Sequence, residues 1–300
     1  MSLKKNIIAN YFGNGWSAIM GLVFIPYYIK SLGMEAYGLI GFYAMLQACL
    51  ILLDLGMTPT ISREMARFTG GMHTSLSIRD LLRSIEIVCL IVGSFYLIGI
   101  WMSSEWVATN WLNAANLSTA NIAQAFFIMG LVTALRFVEG IYRGAIMGLQ
   151  RQVLFNAVSA FMATLRGGGA VLVLMFVQPT IQAYFIWQGI TSLLTVIVFA
   201  KITYSSLAEA SRSGRFSRSE LQKVWQFASG VTITTLLAMA LTQADKIILS
   251  KIFFRKHYRP EHLESGVRRP PCVRRKPGLH GQMGKGRLPV PALLGRDLRQ

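Results

Sequence analysis

Residues 154–177 form a run of twenty-four side chains, apolar almost throughout, with Arg166 near its midpoint. A helix rises about 1.5 Å per residue, so the run crosses a hydrocarbon core of roughly 30 Å and sets the guanidinium near the bilayer centre. A charge at that depth costs about 2.5–3.5 kcal/mol on insertion scales, so it must face protein, water or a ligand. Helical spacing groups Arg166 with Ser159, Met162, Ala163, Gly169, Ala170 and Val173, a face of mostly small side chains that leaves space beside the guanidinium. Two readings follow. Arg166 is either a cavity-lining cation that meets an anionic substrate or a structural arginine paired with a neighbouring acid.

The remainder of the chain is of the same kind. With 53% hydrophobic and only 14% charged residues and a mean hydropathy of +0.46, it departs from soluble domains, where about 25% of residues are charged. It is expected to be an all-α polytopic membrane protein. A net charge of +17 suggests nucleic acid in a soluble chain, but here it divides unevenly. Residues 1–254 carry eighteen Lys/Arg against ten Asp/Glu, and residues 255–300 carry twelve against three. No nucleic-acid partner is implied. Cys49, Cys89 and Cys272 fall at no metal-ligand or CxxC spacing, so neither a disulfide framework, a zinc site nor a cofactor is expected.

Taken in order, the apolar periodicity predicts a first helix over residues 6–29, uncleaved because its apolar run is too long for a signal peptide. Asn6, Asn10, Gly13, Asn14, Ser17 and Gly21 share one of its faces, either packed on another helix or lining a wet cavity, with Asn10 and Asn14 as the cavity candidates. Pro26 is positioned to bend its outer end, and Tyr27 and Tyr28 suit an interfacial aromatic belt. A second helix over 36–55 carries Gln47 and Asp54. Ile61, Met65 and Phe68 then recur opposite Arg63, Glu64 and Arg67, the pattern of a short helix lying on the membrane surface. A third helix over 81–102 has Arg79, Asp80, Arg83 and Glu86 at its entrance. The fourth, over 122–149, carries Arg136, Glu139 and Arg143 at i, i+3 and i+7, one charged stripe. The fifth is the stretch around Arg166. Only Gln178 and Pro179 separate it from a sixth helix over 180–200, which predicts a tight antiparallel hairpin. A seventh begins near Val224, with Thr232, Thr234, Thr235 and Thr242 able to bond back to their own helix, and ends at Asp245 and Lys246.

Thirteen lysines and arginines flank these helices on one side through the sixth, against Lys30 alone on the other. The positive-inside rule then places the amino terminus in the cytoplasm. Beyond Arg255 the composition turns abruptly to Arg, Pro and Gly, a segment expected to be disordered. Its position on the outer side violates the same charge rule, so a reading-frame shift that truncates a longer transporter is the expectation for this tail.

The segment Leu53-Asp54-Leu55-Gly56-Met57-Thr58-Pro59-Thr60, followed by Arg63-Glu64-Met65-Ala66-Arg67, resembles the second-helix motif of bacterial polysaccharide flippases. These are the lipid-linked oligosaccharide translocases of the MATE-like multidrug/oligosaccharidyl-lipid/polysaccharide exporter superfamily. Residues Arg136 to Gly144 with Gly148 to Gln152, Thr164 to Ala170, and Ala244 to Ser250 agree with it in order. The resemblance covers roughly residues 1–253. It implies two six-helix lobes around a central cavity, of which this chain supplies a first lobe (1–202), a cytoplasmic linker (203–223) and one helix of a second lobe (224–253), before the basic tail (254–300). It further implies a multi-pass protein of the bacterial cytoplasmic membrane that moves polyprenyl-diphosphate-linked oligosaccharide for O-antigen or a related surface polysaccharide. Its partners would be that lipid-linked substrate, membrane lipids and other polysaccharide-assembly proteins, and a product ending in this tail would not transport.

A diphosphate at membrane depth requires cations, and guanidinium groups bind phosphate bidentately while staying charged. Arg166, Arg136 and Arg143 are therefore the substrate-binding candidates, with Asp54, Glu86, Glu139 and Asp245 as the carboxylates near the spans for ion coupling. The alternatives are a MATE-type drug or cation antiporter, against which uncompensated arginines argue, and a membrane-embedded polysaccharide-assembly enzyme, which the chain's lack of an acidic pair opposes.

Overall fold

A computed structural model describes residues 3–110, 119–207 and 213–257. Eight helices account for nearly all of them: α1 (Leu3–Val23), α2 (Ile25–Leu53), α3 (Met57–Thr69), α4 (Ser75–Asn110), α5 (Thr119–Gly148), α6 (Gln152–Phe176), α7 (Ile181–Ser206) and α8 (Arg218–His257). By chain contacts residues 1–246 form one unit and 247–300 another. The disordered tail expected from residue 254 begins instead as the last turn of α8, through His257; from residue 258 onward it lies outside the described residues, as does the side chain of Asp245.

Five of these helices are long and apolar enough to cross a bilayer, and the bent pair Asn6–Val23 and Ile25–Ala48 adds a sixth if counted as one span. The sequence reading gave seven, with two continuous helices at the start. The difference has a local cause. The two arms meet at 45° around Phe24, just ahead of Pro26, whose ring has no N–H to donate and collides with the carbonyl four residues back. A second break follows at Gly33 (φ 81°, ψ 166°), inside α2. That left-handed value suits glycine, and it separates residues 25–32 from 34–53 close to the boundary expected from sequence.

The exterior of the bundle is apolar and its interior holds the polar groups, as a bilayer solvent requires. On α4, Leu90, Ile91, Phe95, Ile98 and Trp101 are exposed while Ser84, Glu86 and Ser104 are buried. Hydroxyls return to their own backbone: Thr195 Oγ1 donates to the Thr191 carbonyl at 2.6 Å and Thr203 Oγ1 to Phe199 at 2.8 Å. Thr232, Thr234, Thr235 and Thr242 of α8 do the same at 2.8–2.9 Å, as expected. At 36 residues, α4 is about 54 Å long and overreaches the hydrocarbon by several turns.

The short amphipathic α3 packs its apolar face on the bundle and leaves Arg63 and Ala66 exposed, but one of its charges is turned inward. Its Ile61 and Met65 are fully buried, and Glu64, expected on the polar face, is 1% exposed. Close approach to α5 makes this possible. A Cβ at Gly144 would stand 2.6 Å from the Thr58 carbonyl oxygen, and one at Gly148 would collide with that of Ser62. Glu64 is held by Arg67 at 3.1 Å, Arg63 at 3.5 Å and His73 at 2.7 Å, a buried carboxylate beneath two exposed guanidinium groups.

The predicted hairpin forms. Helix α6 ends at Phe176, and Thr180 caps α7 by accepting from the Ala183 N–H at 3.3 Å. The polar connection before α8 is fastened to α4: the Arg215 N–H donates to Asp80 at 2.8 Å and the Ser217 N–H to Ser84 Oγ at 2.8 Å.

Candidate functional site

Helices α1, α2, α5, α6 and α7 enclose a cavity of about 550 Å³, and the residues that singled themselves out by charge meet in it. Arg136, Glu139 and Arg143 reach it from α5, as their shared helical face dictates, and Arg166 reaches it from α6. Glu139 stands between two of the arginines. Its Oε1 accepts from Arg143 Nη2 at 3.4 Å, and its Oε2 lies 3.6 Å from Arg166 Nη2, an ion pair too long for a hydrogen bond. Both alternatives raised by the sequence are therefore present at once: Arg166 has a carboxylate neighbour and lines a cavity.

The pairing is incomplete. The Arg166 side chain is 17% exposed, and its Nε and Nη2 have no hydrogen-bond partner; neither does Nε of Arg136. One carboxylate faces three guanidinium groups, leaving the chamber cationic. Arg143 lies half exposed, 5.9 Å from the Phe155 ring centroid. Because a short turn joins α5 and α6, the order Arg143, Glu139, Arg166 runs inward from that turn, and Arg166, fourteen residues beyond Gln152, lies about 21 Å along α6.

Two of the glycines after Arg166 are needed for close packing, although Gly167 also borders the cavity. Gly167 takes the Phe24 ring and Gly169 the Trp187 indole against its backbone, while Trp187 Nε1 donates to the Leu165 carbonyl at 3.2 Å. Room beside the guanidinium comes from Ser159, Met162 and Ala163, which line the cavity; Ala170 is packed in the core. Asn14 also lines it. Asn10 stands outside that lining: its amide donates to Gln152 Oε1 at 3.3 Å and its Oδ1 accepts from Asn156, fastening α1 to α6.

A second cavity of about 460 Å³ adjoins the first, bounded by the end of α2, the start of α3, α5 and α8, and Gln47, Arg136 and Arg143 line both. Asp54 lies in this one, where it accepts from the Thr58 hydroxyl at 2.6 Å and the Thr58 N–H at 3.2 Å, ordering the start of α3. Glu86 lies in neither. It is buried and receives Arg83 at 2.9 Å, Tyr142 at 2.9 Å and Tyr204 at 2.7 Å, which ties α4 to α5 and α7. No group of three or more His, Cys, Asp or Glu suited to a metal occurs among the described residues.

Tyr43, Tyr184 and Gln188 stand in the cavity wall without having been singled out by the sequence, and Tyr28 stands there with them. Tyr28 was assigned to an interfacial belt, yet its hydroxyl donates to the Gly167 carbonyl at 3.1 Å, one residue from Arg166. A polar residue such as Gln188 in an apolar helix was the signal available.

The fold defines a multi-pass helical membrane protein, and the chamber within it is lined by three arginines and one glutamate. The chain belongs to the polysaccharide biosynthesis protein family, whose model matches residues 3–257. That membership supports a general role in polysaccharide export. No curated protein and no solved structure matches the chain.

Proposed function

We propose that this chain is part of a non-enzymatic translocase for polyprenyl-diphosphate-linked oligosaccharide in the bacterial cytoplasmic membrane, with its amino terminus in the cytoplasm and a MATE-like lobe arrangement. The observation that carries the reading is the chamber lined by three arginines and one glutamate, in which Nε and Nη2 of Arg166 and Nε of Arg136 make no hydrogen bond. A diphosphate supplies acceptors for these groups, and hydrogen bonds to an ionised partner are roughly twice as strong as neutral ones. Arg143 sits nearest the α5–α6 turn, where the basic flanks of the sequence place the cytoplasm, and meets the headgroup first; Arg166 and Arg136 hold it deeper. The polar wall accommodates sugar, and the prenyl chain stays in lipid, where no binding site is needed.

The test uses the chain in nanodiscs of zwitterionic lipid, with undecaprenyl diphosphate and the lipophilic cation tetraphenylphosphonium as probes. Binding of the diphosphate, weakened tenfold or more by Arg166→Ala, supports the proposal. Preference for the cation, or diphosphate binding undiminished by Arg166→Ala in a folded protein, refutes it and favours a cation exporter.

A further inference from the structure

The chamber has a second chemical character beside its charge. Tyr28, Tyr43 and Tyr184 line it together with Gln188, and these side chains are held in a fixed cluster. The Tyr184 ring packs edge-on to Tyr28 with centroids 5.1 Å apart and to Phe185 at 5.0 Å, and Phe185 packs edge-on to Tyr43 at 5.2 Å. Geometry of this kind fixes each ring and the direction of its hydroxyl. The cluster is anchored beside Arg166, because the Tyr28 hydroxyl donates to the Gly167 carbonyl at 3.1 Å.

Tyr43 is only 6% exposed, and its hydroxyl has no hydrogen-bond partner. Buried phenols normally find one, so an orphaned hydroxyl in a cavity wall calls for an explanation. Gln188 stands one turn beyond Tyr184 on the same face of α7 and is still more deeply buried, at 3% exposure. Its amide offers both a donor and an acceptor.

Three ligand chemistries can be compared with this wall. A phosphate gains little from phenol and amide groups when three guanidinium groups stand close by. A prenyl chain would leave the Tyr43 hydroxyl and the Gln188 amide unsatisfied. A pyranose ring fits both characters, since its C–H face packs on an aromatic ring while its hydroxyls donate and accept at the edges. A cavity of about 550 Å³ falls within the ~300–1,000 Å³ range of small-molecule sites, enough for a diphosphate and the sugar attached to it.

We propose that the tyrosine-lined end of the chamber is a saccharide subsite that takes the pyranose directly linked to the diphosphate, with the Tyr43 hydroxyl and Gln188 amide as its hydrogen-bonding groups and Tyr184 as its packing wall. This rests on the reading of the arginines as the diphosphate site. It assigns sugar selectivity to α2 and α7, and charge recognition to α5 and α6.

The experiment compares undecaprenyl diphosphate with undecaprenyl-diphosphoryl-N-acetylglucosamine on the chain in zwitterionic nanodiscs. The sugar-bearing lipid is expected to bind about tenfold more tightly, and Tyr43→Phe, which removes one oxygen and keeps the ring, is expected to bring that ratio down to about two. Gln188→Leu reduces it likewise. Equal affinity for the two lipids, or a ratio that Tyr43→Phe leaves intact, overturns the saccharide subsite while the diphosphate site stands. Failure of both lipids to bind overturns the diphosphate site and this inference together.

Discussion

Replacing Glu139 with glutamine is expected to weaken the protein and strengthen its hold on an anion, two effects of opposite sign from one atom pair. In a medium of effective dielectric about 20, charges at the 3.6 Å separating Glu139 from Arg166 attract by roughly 4–5 kcal/mol. Desolvation of the buried partners offsets much of this, and the pair with half-exposed Arg143 is screened to at most about 1 kcal/mol. A net loss of about 1–3 kcal/mol of stability remains, most of it from leaving Arg166 without a counterion. A diphosphate seated on the same guanidinium groups gains in turn. Removing a like charge about 6 Å away is worth roughly 2–3 kcal/mol at the same dielectric, reduced by water in the chamber to about 1.4 kcal/mol, or tenfold in affinity. The assay is a thermal-shift curve and an undecaprenyl diphosphate titration on the same nanodisc sample. A folded Glu139→Gln protein that binds the diphosphate more weakly would refute the reasoning, because the carboxylate would then be holding the arginines in place for the ligand instead of competing with it.

Two further substitutions test the packing. Gly148→Ala drives a Cβ into the Ser62 carbonyl and Met65, so α3 must shift away from α5. A loss of about 1–3 kcal/mol is expected, seen as a lowered melting temperature, and an unchanged one would mean that α3 docks loosely. Tyr204→Phe removes one of the three donors to buried Glu86. It should cost about 1–3 kcal/mol, and combining it with Tyr142→Phe should give a change that departs from the sum of the single ones.

The charged part of the chamber was legible in the sequence because a charge is conspicuous in an apolar run. Arg136, Glu139 and Arg143 declare a shared face by spacing alone, and Arg166 declares its depth by lying mid-span. What spacing could not give was the partner across helices: Glu139 sits opposite Arg166 because the α5–α6 turn sets their relative height, a tertiary fact. Tyrosines gave no comparable signal, since a phenol is equally at home in an interface, a core or a cavity wall, and Tyr28 looked like the first of these. Glu64 misled for a related reason. An i, i+3 pattern of charges reads as a solvated face, and only His73, brought back onto Glu64 from beyond the end of α3, shows otherwise. At the start of the chain Pro26 marked the bend correctly, whereas the polar stripe carrying Asn10 served helix contact at that residue and cavity lining at Asn14, a division that periodicity alone cannot make.

Arg136 and Arg143 border both cavities, and this shared wall limits how the chamber can be filled. An anion in either compartment draws on the same two positive charges, so the second vacancy becomes less attractive once the first is taken. If the arginines hold a diphosphate as proposed, the two spaces are expected to take one headgroup between them, with a titration ending at one equivalent. On that proposal, a headgroup passing from one space to the other would keep the same two guanidinium groups beside it throughout.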